Sequence, residues 1–357
     1  MNRIKRYFSI FFVFLSFAIC CAKEFTIAVI PDTQSYVDYR LLKSDYSFHE
    51  IYYRQMQYIV DNSLKKGGTI SYAIHLGDVV NNYSYQLMEW IVSDAGFSLL
   101  DDIIPFMVIP GNHDYDESEN LKESPKQRIR GCKYFTTFFG PESKHFKDKE
   151  WYGGSYNGGM NSWQILSIGD EDFLILGLEV EPSQDVLDWA QTILSLHKNP
   201  TIVCTHEFLS TEYDKNAPGN AAFSFGGYRL LDGGLNPKDI MDSFIKKHNQ
   251  IFLVLCGHYA VGNDSENART DLNESGNKVY SLLSDYQFRN SLLNDKDKQK
   301  YKYYGGDGWL RLLTFDKERK SIHIQTYSTE LKCYEKDFNS DFVIQFDWDW
   351  NERFDRL

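Results

Sequence analysis

Residues 105–114 read PFMVIPGNHD, an apolar run that stops at Gly111 and gives way to Gly-Asn-His-Asp. A short continuous apolar run between turn signals has the signature of a strand buried on both faces. The polar run behind it has no core-packing explanation. The same arrangement occurs twice upstream: FTIAVI (25–30) leads into Pro31-Asp32-Thr33-Gln34, and SYAIHL (71–76) leads into Gly77-Asp78. Between these runs, Ile51, Tyr52, Gln55, Met56, Ile59, Val60 and Leu64 repeat at helical spacing and are closed by Gly67 and Gly68. A second helix-like segment covers 87–100. Strand, helix, strand, helix, strand in that order predicts a parallel sheet.

Downstream, 115–161 is polar and glycine-rich at its end, and reads as a long excursion over the active face. WQILSI (163–168) and FLILGL (173–178) then predict a hairpin. A helix (183–197), the strand TIVCT (201–205), a second irregular excursion (209–235), a helix (237–248) and the strand IFLVLC (251–256) follow. Further strands are expected at 278–284, 309–315 and 321–327, so a second sheet is predicted. With no internal repeat and no linker, residues 23–357 are expected to form one domain.

The first 22 residues differ from the rest. Arg3, Lys5 and Arg6 precede an apolar run from Tyr7 to Ala22, the pattern of a secretory signal peptide over 1–22. At about 16 residues the run falls short of the roughly 20 that span a bilayer. Cleavage before Lys23 or lipid attachment at Cys20 or Cys21 are the expected fates, giving an exported chain that is periplasmic, extracellular or lipid-anchored at the cell envelope. No second stretch reaches spanning length, so no transmembrane helix is expected in the mature chain. Removing Arg3, Lys5 and Arg6 takes the net charge from −12 to −15. That acidity argues against a nucleic-acid-binding domain, which neutralises phosphates with Lys and Arg. It is compatible with a phosphorylated molecule held through metal ions. Outside the signal segment, Cys204 and Cys256 read as buried thiols, and a Cys132–Cys333 disulfide is allowed by export.

Five polar clusters follow five of the strands: Pro31-Asp32-Thr33-Gln34, Gly77-Asp78, Gly111-Asn112-His113-Asp114, Thr205-His206-Glu207 and Gly257-His258-Tyr259. Sites in open α/β sheets form beyond the carboxyl ends of the strands, so these clusters should converge. Asp, Asn and His together suit Zn, Fe or Mn. Two such ions about 3.5–4 Å apart clamp a phosphoryl group and generate hydroxide at neutral pH. Taken singly, a strand-ending Asp is commonly a cap or turn residue, and a single His is commonly structural. The ordered set from Asp32 to His258 carries the functional reading.

In that order the motifs resemble the calcineurin-like metallophosphoesterase family, whose pattern is D-x-H, G-D, G-N-H-D/E, H and G-H-x-H. The resemblance covers roughly residues 25 to 330. It implies an α/β fold with α+β character, two mixed β-sheets in a sandwich flanked by helices. It also implies two divalent or trivalent transition metal ions, Mn, Fe or Zn. By matching motif, Asp32 would bind the first metal, Asp78 would bridge both, and Asn112, His206 and His258 would bind the second. His113 would contact the phosphate or protonate the leaving oxygen, with Asp114 orienting its ring.

This sequence departs from the pattern twice. Gln34 stands where the family has His, and Ala260 stands where the second His of G-H-x-H would be, so the first site keeps Asp32 and Asp78 with Gln34 as a neutral oxygen donor. Leu282-Leu283-Ser284-Asp285-Tyr286-Gln287 and Gly305-Gly306-Asp307-Gly308-Trp309-Leu310 resemble a branch of extracellular bacterial members that share a PDTQ first motif. Asp285 and Gln287 end the 278–284 strand and are candidates for the outer shell of the first metal. Two functions follow from these residues. One is hydrolysis of a phosphomonoester or phosphodiester in a phosphorylated small molecule or phosphoprotein. The other is a metal-poor, non-catalytic member of the fold that binds a phosphorylated ligand or partner. Tyr115, Trp151, Tyr152, Tyr156, Phe223 and Phe225, in the excursions, are candidates for stacking on a sugar or base, or for packing the loops themselves.

Overall fold

The computed structural model describes residues 24–42, 46–81, 86–116, 131–168, 171–225, 233–301, 305–346 and 353–354. The expected signal segment lies outside them. Glu24–Ile30 sits inside a mixed sheet, parallel to Ile70–His75 and antiparallel to Trp309–Asp316. Phe106–Val108 extends this sheet on one side, and Ser321–Ser328, paired with both Cys333–Tyr334 and Asp341–Gln345, extends it on the other. A second mixed sheet runs in the order Glu266–Leu272, Lys278–Ser284, Ile251–Cys256, Thr201–Thr205, Glu171–Leu178, Asn161–Ile168 and Tyr152–Tyr156.

Alternation along the strands explains why both faces of each sheet are apolar. Phe25, Ile27 and Val29 point between the sheets with Ile202, Cys204, Leu253 and Leu255. Ala28 and Ile30 point the other way, against the face of Phe48–Asp61 that carries Ile51, Tyr52, Met56 and Ile59. On the outer side of the second sheet, Val203 and Val254 meet Val186, Leu187 and Ala190 of Gln184–Leu196. This is a two-sheet sandwich flanked by helices, the fold class expected above. Among the described residues, no helix is long and apolar enough to cross a membrane.

The first excursion is corrected. Its described part contains the helix Lys133–Phe139, whose Phe135 and Phe139 are buried one turn apart, and the strand Tyr152–Tyr156, which pairs with Asn161–Ile168. Its glycines concealed that strand. Gly153 lies under Trp163, where a Cβ would come within 2.1 Å of the indole ring. The second excursion holds a small hairpin, Leu209–Tyr213 with Ala221–Phe223. The helix expected over 237–248 ends at Ser243 and continues as a short 3₁₀ turn, Ile245–Lys247. Cys132 and Cys333 are free thiols, so the allowed disulfide is absent.

A buried ion pair joins the two sheets behind the site. The Arg311 guanidinium lies 3.1 Å from Glu266 Oε1 and donates to the Leu283 carbonyl at 3.0 Å and to Ser284 Oγ at 3.2 Å. Glu266 also accepts from Tyr286, Thr326 and Ser340. Such a pair is tolerated when its remaining polar atoms are satisfied; Glu266 meets that condition, whereas Arg311 Nε is buried with no hydrogen-bond partner. The location of the pair fixes the strand end that carries Asp285.

Candidate metal centre

Asp32, Asp78, His206, His258 and Asp285 each sit one or a few residues past the end of a buried strand, Ile30, His75, Thr205, Cys256 and Ser284 respectively. The strands in each sheet that carry them run parallel, so their carboxyl ends open on one crevice. Asp78, His206 and His258 each bring a donor atom within 4.8 Å of the others. His206 Nε2 is 3.2 Å from Asp78 Oδ1, 3.0 Å from Asn112 Oδ1 and 3.1 Å from His258 Nδ1. Donors about 2.0–2.2 Å from a shared ion stand roughly 3 Å apart, so this spacing fits a metal. Nδ1–H of His206 donates to the Leu76 carbonyl at 2.7 Å, which leaves Nε2 as the nitrogen that could hold a metal.

Three of these residues have left-handed backbones: Asp32 at φ 28°, Asp78 at 53° and His258 at 75°. Positive φ in non-glycine residues costs on the order of 1–2 kcal/mol each and concentrates at functional sites. Sequence reading missed this. The side chains are buried as well, Asp32 and Asp78 at 2% exposure and His206 at 0%.

Burial would lower the His206 pKa, but the charges of Asp78 and Asp32 outweigh it and push it up to about 10. For Asp78, burial works upward, but His206, His113 and His258 overcome it and hold the carboxyl well below its ordinary range. Burial and the neighbouring Asp285 raise Asp32, and its Oδ1 is buried without a hydrogen-bond partner. Burial raises Asp285 to about 6. A pocket with this many carboxylates and one unpartnered carboxylate oxygen is short of positive charge, which a cation supplies.

His113 lines the cleft, and its Nδ1 lies 2.8 Å from the Asn81 carbonyl. The expected role of Asp114 is corrected. Its carboxylate accepts from the backbone N–H groups of Gly111, Val79 and Val80 at 2.7, 3.1 and 3.0 Å, because the Gly77-Asp78 and GNHD turns fold back over it. Asp114 therefore ties the two ligand loops together, and Asn81 orients the imidazole. Burial and the charge of Asp78 push Asp114 up to about 7, against those three N–H groups. His75, which was not singled out, has its pKa lowered to about 3 by burial and holds Thr33 Oγ1 at 2.9 Å, bracing the loop that carries Asp32 and Gln34.

Gln34 Nε2 donates to Asp78 Oδ2 at 3.1 Å and to Gln287 Oε1 at 2.8 Å. Gln287 in turn donates from Nε2 to Asp285 Oδ2 at 2.7 Å. The two outer-shell candidates thus reach the crevice, linked to Gln34. Ala260 lines the same cleft and offers no ligand atom.

The cleft measures about 410 Å³ and is lined also by Glu207, Ser224, Phe225, Tyr259 and Phe288. Of the aromatic candidates from the excursions, Phe225 stands in it, 81% exposed. Tyr115 is buried and donates to Glu179 at 2.7 Å, Trp151 packs on the core with Phe106, and Tyr156 stacks on Trp189. Tyr152 stacks on Phe146, and Phe223 lies under Arg269. Those five pack the protein. Glu207, whose Oε1 is 4.0 Å from His258 Nε2 and accepts from Ser224, was visible in the sequence only as a neighbour of His206.

YvnB of Bacillus subtilis (strain 168), an uncharacterized protein, is 27% identical over 318 residues. The alignment covers 86% of this chain and 20% of YvnB, so the chain spans about a fifth of that relative's length. The calcineurin-like phosphoesterase family profile matches residues 25–262. That span contains Asp32, Gln34, Asp78, Asn112, His113, His206 and His258, and stops short of Asp285 and Gln287. With the two-sheet sandwich, the strand-end crevice and the Asp78–His206–His258 cluster in place, the chain belongs to the calcineurin-like phosphoesterase family.

Proposed function

We propose that this chain hydrolyses a phosphomonoester or phosphodiester at a pair of transition-metal ions. The observation that carries this reading is the convergence of Asp78, His206 and His258 on one point in a cleft that His113 also lines. Asp78, Asn112, His206 and His258 would hold one ion, and Asp32 with Asp78 the other. When bound, such ions supply Lewis acidity toward phosphoryl oxygens and acidify water toward neutrality. With Nδ1–H held on the Asn81 carbonyl, Nε2 is the His113 nitrogen left for the substrate, and the doubly protonated ring would give its Nε2 proton to the leaving oxygen and keep the Nδ1 proton. Phe225, Tyr259 and Phe288 give the cleft aromatic surface for the organic part of a phosphorylated small molecule or a phosphoprotein side chain.

Chelator-stripped protein is expected to be inert toward p-nitrophenyl phosphate and bis-p-nitrophenyl phosphate, and to turn one of them over once Mn²⁺ is restored. Turnover that survives stripping would remove the metal from the mechanism. Metal-loaded protein that binds phosphate without turnover would support the second reading, a phosphate-binding member of the fold. Ala260, with no ligand atom in the cleft, is the observation that favours that reading.

The basic start and short apolar run of residues 1–22 support action outside the cytoplasm. Natively expressed protein is expected to begin near Lys23, or to carry lipid at Cys20 or Cys21, by N-terminal mass analysis. An intact Met1 with the apolar run retained would remove export.

A further inference from the structure

The place of the first metal is occupied by a hydrogen-bond arrangement that reads as a site for a particular class of cation. Asp78 faces two ways: Oδ1 lies toward His206, and Oδ2 lies toward Gln34. At Oδ2 the Gln34 NH₂ group donates one hydrogen to each of two oxygens, Asp78 Oδ2 and Gln287 Oε1, at 3.1 and 2.8 Å. A donor held between two acceptors marks a point of negative potential. It also leaves Gln34 Oε1 buried with no partner, which costs about 1–3 kcal/mol.

The orientation of Gln287 is settled by its neighbour. Asp285 is fully buried and, as a carboxylate, can only accept. It takes Gln287 Nε2 at 2.7 Å and the Gln287 backbone N–H at 3.0 Å. The amide nitrogen must therefore face Asp285, and Gln287 Oε1 must face Gln34. Gln34 has no such lock. A half-turn of its terminal amide would bring Oε1 beside Asp78 Oδ2 and Gln287 Oε1. Three acceptors at one point repel unless a cation lies between them. Asp32 Oδ1, buried and without a hydrogen-bond partner, lies 4.0 Å from His206 Nε2. Among the described residues, His206 and His258 are turned to each other, and His206 to Asn112.

We propose that the first metal position of this chain is an all-oxygen site built from Asp32, Asp78, Gln34 and Gln287, with Asp285 as the residue that positions Gln287. The inference rests on the dimetal reading above and specifies its chemistry. Among the transition metals proposed above, carboxylate and amide oxygens suit Mn²⁺, whereas the imidazole-rich second position suits Zn or Fe. The centre is thus a mixed pair, with an exchangeable hard cation beside a tightly held imidazole-bound one.

The test is metal binding to the full mature chain, followed by equilibrium dialysis and electron paramagnetic resonance. Stripped protein should take up one tight equivalent of Zn²⁺, with any second equivalent at least about tenfold weaker. Mn²⁺ added to the one-zinc protein should then bind without ¹⁴N coupling in its pulsed spectrum. Gln287→Ala should weaken that Mn²⁺ by about 10–100-fold and leave the tight Zn²⁺ unchanged. Gln34→His should introduce ¹⁴N coupling at the Mn²⁺. Two equally tight Zn²⁺ ions in the wild type, or ¹⁴N-coupled Mn²⁺ in the wild-type one-zinc protein, would overturn the oxygen-only site. The wild-type spectrum decides this without any variant, so poor folding of Gln287→Ala leaves the proposal testable. Absence of turnover in correctly loaded zinc–manganese protein would instead sink the hydrolase reading and leave the metal assignment standing.

Discussion

Asp78→Asn is expected to remove metal and lower turnover by at least about a thousandfold, since about 4 kcal/mol of lost charge stabilisation corresponds to that factor. Asp78 has one oxygen toward His206 and the other toward Gln34, so it is the carboxylate placed to serve both positions. The substitution is nearly isosteric, and Asn tolerates the left-handed backbone that Asp78 adopts at φ 53°. Loss of function would therefore report lost charge rather than a broken turn. His113→Ala should behave differently. His113 lines the cleft and orients through the Asn81 carbonyl, so its removal should spare bound metal and slow turnover by about 10²–10⁴. Metal content by mass spectrometry, measured beside kcat, separates the two. If His113→Ala emptied the site while Asp78→Asn kept it filled, the roles would have to be exchanged.

The parts of the molecule legible in the sequence were those in which both faces of a strand are buried. FTIAVI, SYAIHL, TIVCT and IFLVLC are continuous apolar runs, and each is a central strand with a candidate ligand behind it. Glu266–Leu272 and Asp341–Gln345 were not anticipated, because ENARTDL and DFVIQ lie at or near sheet edges and carry polar residues. The candidate ligands were readable because metal sites restrict residue type; their supports were not. Asn81 acts through its carbonyl, which any residue supplies. Asp114 acts on three backbone N–H groups brought together by two separate turns, so its neighbour in sequence, His113, was a misleading guide to its partner. Gln287 was readable as a strand-end polar residue. That it locks to Asp285 and faces Gln34 follows only from the parallel pairing of Lys278–Ser284 with Ile251–Cys256, which brings that strand end beside the His258 loop.

The glycines of the motifs lead to the last expectation. Gly111→Ala should impair the site while the sandwich survives. Gly111 does not need a left-handed backbone, so alanine is excluded by space alone. A Cβ there would lie 2.1 Å from the Asp78 backbone nitrogen, 2.3 Å from Asp78 Oδ1 and 2.8 Å from His206 Cε1. Two of these atoms belong to side chains at the metal centre, and the nearest is backbone that cannot swing aside. Gly257 is similar toward Asp32, whose Oδ2 would lie 2.4 Å from an added Cβ. Overpacking of this kind costs about 1–3 kcal/mol in stability, which a chain of this size can absorb. A ligand displaced by about 1 Å costs roughly a hundredfold in rate, and here a single Cβ presses on two. Gly111→Ala should thus show a modest drop in melting temperature, weakened metal binding and at least about a hundredfold loss of turnover. Gly276→Asn is the matched control, because Gly276 has φ +80° with nothing within 4 Å of its Cβ position, and Asn accepts that backbone. It should leave metal content and turnover unchanged. Wild-type metal binding and rate in Gly111→Ala would mean that the Gly77–Asp78 and GNHD turns are not packed as described, and the proposed bridging role of Asp78 would go with them.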